Sequence, residues 1–314
     1  MQLCLMIEGQ EGVSWQQWLA LARACEEHGI PALFRSDHYM NLDGRHPEHG
    51  SLDAWATVCA LAAVTERLRL GTLVSPATFR HPSNLARLVA SADQISGGRI
   101  ELGLGAGWHE REHQAHGFPF PPLGERLELL AEQLEIVLGS WGEGRFSFAG
   151  RHYHLEQLDA RPKPLQRPRP PLLLGGNAGP RSAALAARFA DEYNTAFATA
   201  AEARSRRLRI AAACERAGRE PIPFSVMTGV VVAGSERELR ERAARLEQRT
   251  GIASLLKEPP AGWIVGTVEQ AAERLAALRE AGVARVFCQQ LLHDDLEAVA
   301  LLGRELAPRL ASAS

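Results

Sequence analysis

The feature that most constrains this chain is an alternation of apolar strand-like and amphipathic helix-like segments, repeated from one end to the other. Residues 3–7 read as a strand, and an amphipathic helix follows from about 14 to 28, with Ser14 as its N-cap. Further strand candidates fall at 32–35, 68–74, 99–104, 172–174, 192–196, 224–232 and 283–288, separated by helical patterns. Repeated strand–helix units demand a parallel sheet with right-handed crossovers. Eight of them predict an α/β fold of the closed (β/α)8 TIM-barrel type with insertions; a doubly wound open sheet is the rival arrangement. Two insertions are visible. "RFSFAGRHYHLE" at 145–156 has the alternation of a small hairpin, and "ARPKPLQRPRPP" at 160–171 is a proline-rich connector. The stretch 249–263 reads either as a flap over the barrel mouth or as a surface connection. No long linker divides the chain, so one domain over 1–314 is expected.

Composition narrows the partners. Of 314 residues 46% are hydrophobic and 23% charged, with a net charge of −2, as in a soluble globular protein. No basic tract suggests nucleic acid or an anionic membrane, and no apolar run approaches the ~20 residues that span a bilayer. The first residues lack the basic start and apolar run of a signal peptide. Cys4, Cys25, Cys59, Cys214 and Cys288 are odd in number, far apart and set in apolar surroundings, which fits thiols in a reducing cytoplasm.

In such a barrel, function gathers at the C-terminal ends of the strands. The second strand ends in Ser36-Asp37-His38. A histidine there is suited to proton transfer near neutrality, and Asp37 is a candidate to orient it; the alternative for Asp37 is a plain turn cap. The third strand carries Thr72 and Ser75 among apolar residues, then Arg80. The fourth ends Gly103-Leu104-Gly105-Ala106-Gly107, where small residues permit close approach to the backbone. In "PLLLGGNAGPRS" an apolar strand runs into Gly175-Gly176-Asn177, and Pro180 is placed to start a helix. Backbone N–H groups at such a turn attract a phosphate, with Arg181 as a further cation; an ordinary glycine turn is the alternative.

One motif points elsewhere. His109-Glu110-Arg111-Glu112-His113 matches H-E-x-x-H, a pattern of zinc hydrolases. There the motif sits within a sustained helix and needs a third ligand. Here Gly117 and the run Phe118-Pro119-Phe120-Pro121-Pro122 end any helix within about two turns. His46, His49 and His116 have no compelling ligand spacing, so no catalytic metal is expected.

Taken together, "SDHY" at 36–39, the stretches 62–86 and 93–122, "PLLLGGNAG" at 171–179, "ADEYNT" at 190–195 and the stretch 265–286 resemble the luciferase-like monooxygenase superfamily. Within it they are most similar to the branch of oxidoreductases that use the deazaflavin coenzyme F420. The resemblance covers nearly the whole chain in order, and "GAGWHEREH" is close to a recurrent phrase of that family. It implies a flavin-type ring at the barrel mouth. Asp37 and His38 would lie near ring and substrate, Thr72, Leu73, Val74 and Ser75 beside the ring, and Leu73–Val74 would be the family's non-prolyl cis peptide. Gly105, Ala106 and Gly107 would face the ring, Gly175, Gly176 and Asn177 would bind the phosphate, and Tyr193 and Asn194 would close the site.

The implied activity is hydride transfer between F420 and a small substrate, with His38 as general acid or base. Trp108 stands where relatives that oxidise a sugar phosphate have a glutamate, which favours a less polar substrate. The alternatives are an FMN-dependent monooxygenase using O2 and a partner reductase, or a flavin-binding protein without catalysis. A cytoplasmic enzyme is expected, with a homodimer as the common state of similar proteins.

Overall fold

The computed structural model describes residues 1–42, 44–46 and 48–311. In chain order the strands are β1 (Gln2–Ile7), β2 (Ala32–Arg35), β3 (Arg69–Thr72), β4 (Ser75–Pro76), β5 (Ile100–Gly105) and β6 (Phe146–Ala149). They continue with β7 (His154–Leu158), β8 (Leu172–Gly175), β9 (Glu192–Ala196), β10 (Phe224–Ala233), β11 (Ile264–Thr267) and β12 (Arg285–Gln289). Eight of them close a parallel barrel in the order β1, β2, β3, β5, β8, β9, β10, β12, with β12 returning to β1. The barrel expected from the alternation is the barrel found, and the open sheet is excluded by the pairing of β9 with β10. β6 and β7 form the antiparallel hairpin foreseen at 145–156. β11 was not foreseen; it extends the sheet beside the end of β10, pairing Val230 with Ile264.

Helices start where local chemistry favours them. Ser14 caps the helix Trp15–Glu27 with a reciprocal capping box to Gln17. Pro82 and Pro180 each open a helix, where the missing N–H is of no consequence. Among the described residues no helix is long and apolar enough to cross a membrane. The five cysteines are free thiols.

Period-two alternation splits each strand between two cores. One set, including Leu3, Leu5 and Ile7 of β1, packs outward against the helices. The other, Cys4, Met6, Phe34, Leu173, Met227 and Phe287, fills the barrel, where Phe34 and Phe287 meet edge to face at 4.8 Å. At the N-terminal ends of the strands the interior is closed by charge. Arg285 Nη2 lies 2.8 Å from both Glu101 Oε2 and Glu192 Oε2, all three side chains being nearly buried. Arg69 adds a second cation to Glu101. The floor is therefore rigid and the opposite end open.

Replacing Arg285 by leucine leaves Glu192 buried without its cation. The expected cost is about 3–5 kcal/mol of unfolding free energy, as for other broken buried pairs, measured by urea titration. An unchanged midpoint would contradict the view of this cluster as the barrel floor.

Candidate active site at the barrel mouth

The open end of the barrel holds a cavity of about 1020 Å³. That is at the upper limit of the roughly 300–1,000 Å³ usual for small-molecule sites, so it has room for a large cofactor together with a substrate. Its floor is built by β3, β5 and β8. Between β3 and β4 the Leu73–Val74 peptide is cis, as expected at this position. Val74 lies on a bed of glycines: a Cβ at Gly105 would come 2.7 Å from Val74 Cγ2, and one at Gly175 would come 3.1 Å from Val74 Cγ1. At Gly103 a Cβ would meet the Thr72 carbonyl oxygen at 2.1 Å. Glycine is required in β5 because the bulged strand beside it occupies the space of a side chain.

Along one wall the chain leaves β8 through Gly175, Gly176 and Asn177 and enters the ten-residue helix Pro180–Phe189. That helix has no side-chain N-cap, and Gly179, Pro180, Arg181 and Ser182 at its start line the cavity. Tyr193 fastens the turn from behind: its Oη accepts the Ala178 N–H at 2.9 Å and lies 3.1 Å from Ser182 Oγ. An uncapped helix start beside a glycine turn fits a phosphate, and the flat Val74–glycine shelf fits a planar ring.

Opposite the shelf stands His38, whose Nδ1 is 2.7 Å from Glu112 Oε2. The other carboxylate oxygen of Glu112 accepts the N–H groups of Tyr39 (2.6 Å) and Met40 (3.4 Å). Burial alone would push the His38 pKa down, but the hydrogen bond and charge of Glu112 outweigh it and hold it above 6.5. For Glu112, burial works upward, and the His38 contact with the two backbone N–H groups brings its pKa below the ordinary glutamate value. Glu112 thus favours the protonated form of His38, and His38 the ionised form of Glu112. Trp108 leans edge-on to His38 at 5.7 Å and is 62% exposed at the rim. Deeper in, Glu8 lines the cavity and accepts from Gln10 Nε2 (2.8 Å) and Gln289 Nε2 (2.6 Å).

The residues proposed from sequence divide into two groups. His38, Leu73, Val74, Gly105, Ala106, Gly107, Gly175, Gly176, Asn177 and Asn194 line this one cavity. Asp37, Thr72, Ser75 and Tyr193 are buried behind it. The proposal that Asp37 orients His38 is corrected. Asp37 accepts from Ser75 Oγ and from both terminal nitrogens of Arg80, and Glu112 takes the orienting role. Asp37 and Arg80 brace the loop, and Arg80 also reaches Asp53 and Tyr39 Oη, each at 3.0 Å. The sequence does not single out Glu8 or Gln289; of the 249–263 stretch, read as a flap or a surface connection, Arg249, Thr250 and Ile252 line the cavity.

The H-E-x-x-H match does not form its own ligand pair. His113 Nδ1 donates to the His109 carbonyl (2.8 Å) and its Nε2 lies 2.6 Å from Thr78 Oγ1, so both ring nitrogens are engaged. Glu110, the motif's first glutamate, is exposed and does not line the cavity.

The barrel thus carries at its mouth a glycine-backed shelf, an uncapped helix start and a histidine–glutamate pair around one cavity. The model of the family described as luciferase-like monooxygenase matches residues 4–285, and the chain belongs to that family. It is 29% identical over 323 aligned residues to an FMNH2-dependent dimethylsulfone monooxygenase of Pseudomonas putida, covering 92% of this chain and 86% of the relative. With an F420-dependent glucose-6-phosphate dehydrogenase of Nakamurella multipartita it shares 28% identity, covering 92% and 91%. A protein of Mycobacterium tuberculosis is 32% identical over 190 residues, which span 56% of this chain and 66% of that one. Among solved structures, an F420-dependent secondary alcohol dehydrogenase with an F420-acetone adduct superposes with a TM-score of 0.83 at 18% identity, covering 98% of each chain.

Exchanging Glu112 for glutamine removes the charge that holds the His38 proton while leaving burial in place. The His38 pKa, followed by the NMR titration of its ring C–H, should fall from above 6.5 to below it. The pair's contribution to stability is present in the parent below pH 6.5 and lost as pH rises through the raised value, so the variant should lose stability mainly on the acid side of that window. A His38 titration unmoved by the exchange would contradict the pairing.

Proposed function

We propose that this protein is an oxidoreductase that binds the deazaflavin coenzyme F420 and transfers hydride to or from a small organic substrate. The observation that carries the reading is the His38–Glu112 pair at the edge of a cavity lined mainly by glycine and apolar side chains. When bound, the coenzyme supplies the hydride chemistry. The protein supplies the rest. The Gly176–Ser182 turn would hold the phosphate, and Val74 with Gly105 and Gly175 would back the ring. His38 would give a proton to a developing alkoxide or enolate, or take one in the opposite direction, and Glu112 would keep the imidazole charged and aimed. Trp108 would shield that proton from water and offer the substrate an apolar wall. A substrate with a carbonyl, an alcohol or an activated alkene suits such a wall better than a sugar phosphate. The F420-dependent glucose-6-phosphate dehydrogenase among the relatives supports this reading, since a dehydrogenation is a hydride transfer.

The second reading is an FMN-dependent monooxygenase, favoured by the dimethylsulfone monooxygenase relative and by an anion site equally suited to the FMN phosphate. O2 and a partner reductase would then be needed. Titration of the protein with F420 and with FMN, read by fluorescence quenching, separates the two. The proposal expects tighter binding of F420, and tight FMN binding with oxygen-dependent turnover would overturn it. Binding without turnover across a broad redox panel would leave a carrier role.

Two variants test the assigned roles. His38→Ala should lower turnover by roughly 10²–10⁴-fold, the usual worth of a positioned acid or base, with coenzyme affinity nearly unchanged. Tyr193→Phe should weaken coenzyme binding by about 1 kcal/mol, because Ala178 N–H loses its acceptor and the turn loosens.

A further inference from the structure

His38, His109 and Glu112 come together from two distant parts of the chain, and their arrangement exceeds what a hydrogen-bonded pair needs. A ring nitrogen of His38, a ring nitrogen of His109 and a carboxylate oxygen of Glu112 all lie within 4.8 Å of one another. The His109 nitrogen is the unexplained part. It is buried, it has no hydrogen-bond partner, and it is 3.8 Å from Glu112 Oε2. That gap is too long for a hydrogen bond. It is close to the separation of two ligands on one tetrahedral ion, about 3.3 Å for metal–ligand bonds near 2.0 Å. The His38–Glu112 separation of 2.7 Å lies on the other side of that value. The two separations from the carboxylate thus bracket the value that a shared tetrahedral ion would impose.

The chemistry of the donors agrees. Two imidazoles and one carboxylate form a ligand set that selects a borderline transition ion such as Zn²⁺ over Mg²⁺ or Ca²⁺. Glu112 is already fixed by the Tyr39 and Met40 N–H groups, the outer contacts that orient a ligating carboxylate. Of the three, His38 lines the cavity, so an ion would reach the group from the open end of the barrel.

We propose that His38, His109 and Glu112 form a site for a divalent transition metal at the mouth of the barrel, in which the ion replaces the proton between His38 and Glu112. The displaced proton goes to solvent, and the ion takes one lone pair from each of the three side chains. The trio differs from the pair suggested by H-E-x-x-H, since His113 is engaged elsewhere and His38 comes from the end of β2. An ion here would hold Nδ1 of His38 and prevent that group from cycling, so zinc would inhibit turnover. That consequence depends on the role given to His38; the site itself does not.

The test uses coenzyme-free protein stripped of metal, with zinc chloride in calorimetry and cobalt chloride in visible spectroscopy. One zinc per chain at micromolar concentration is expected, with the cobalt protein showing the absorption of a four-coordinate ion. His109→Ala should weaken zinc at least about tenfold, since losing a ligand costs more than losing an outer contact, and it should bleach the cobalt band. Glu112→Gln should do the same, and thermal melting of each variant checks that the fold is intact. A second group, His46, Glu48 and His49, lies on the loop after β2 and serves as the control. Replacing His46 and His49 with alanine should leave the cobalt spectrum unchanged. No binding at millimolar zinc, or binding lost in the loop variant and kept in His109→Ala, would overturn the proposal.

Discussion

Everything at the open end of this barrel depends on the contact between Val74 and the glycines of the neighbouring strands. β3 breaks at Leu73–Val74, and the side chain of Val74 then lies 2.7 Å from where a Cβ at Gly105 would be and 3.1 Å from one at Gly175. Any larger residue at those positions forces Val74 or the strand away, because the close atoms belong to a branched, packed side chain. The bulge and the glycines thus specify each other, and together they leave a flat apolar shelf with space above it. Gly103 is under the same restriction from the Thr72 carbonyl.

Charge is segregated along the barrel axis. At the closed end Arg285 and Arg69 neutralise Glu101 and Glu192, and this cluster shows no sign of chemistry. At the open end the buried carboxylates have separate duties. Asp37 belongs to Arg80 and holds a loop, whereas Glu112 belongs to His38 and favours its protonated form. Two acidic groups close to one histidine thus act differently because each is satisfied by a different cation. The helix start at Pro180 adds an uncapped positive end on the opposite wall.

The barrel was legible because its strands and helices have clean periods, and seven of its crossovers are helical. The glycine-rich strand ends were legible because they sit at the C-terminal ends of barrel strands, where small residues let a ligand approach the backbone. What was missed follows from two physical facts. Adjacent residues on extended backbone point to opposite sides, so Asp37 with His38 and Tyr193 with Asn194 do not share a surface. In each pair the second residue lines the cavity and the first braces it from behind. The other fact is distance along the chain. Glu112 meets His38 across 74 positions, and no local pattern marks the second glutamate of "HEREH" over the first. β11 escaped because its four residues follow a long irregular stretch and pair only with the far end of β10.

The central claim is that the Val74–glycine shelf and the turn before Pro180 are two halves of one binding site. It is tested most directly by a crystal structure of the protein soaked with whichever of F420 or FMN binds. The account predicts the phosphate against the backbone N–H groups of Asn177, Gly179, Arg181 and Ser182, the ring flat on Val74, and His38 facing the space beside the ring. A ring bound away from the shelf, or a phosphate held by other residues, would contradict it.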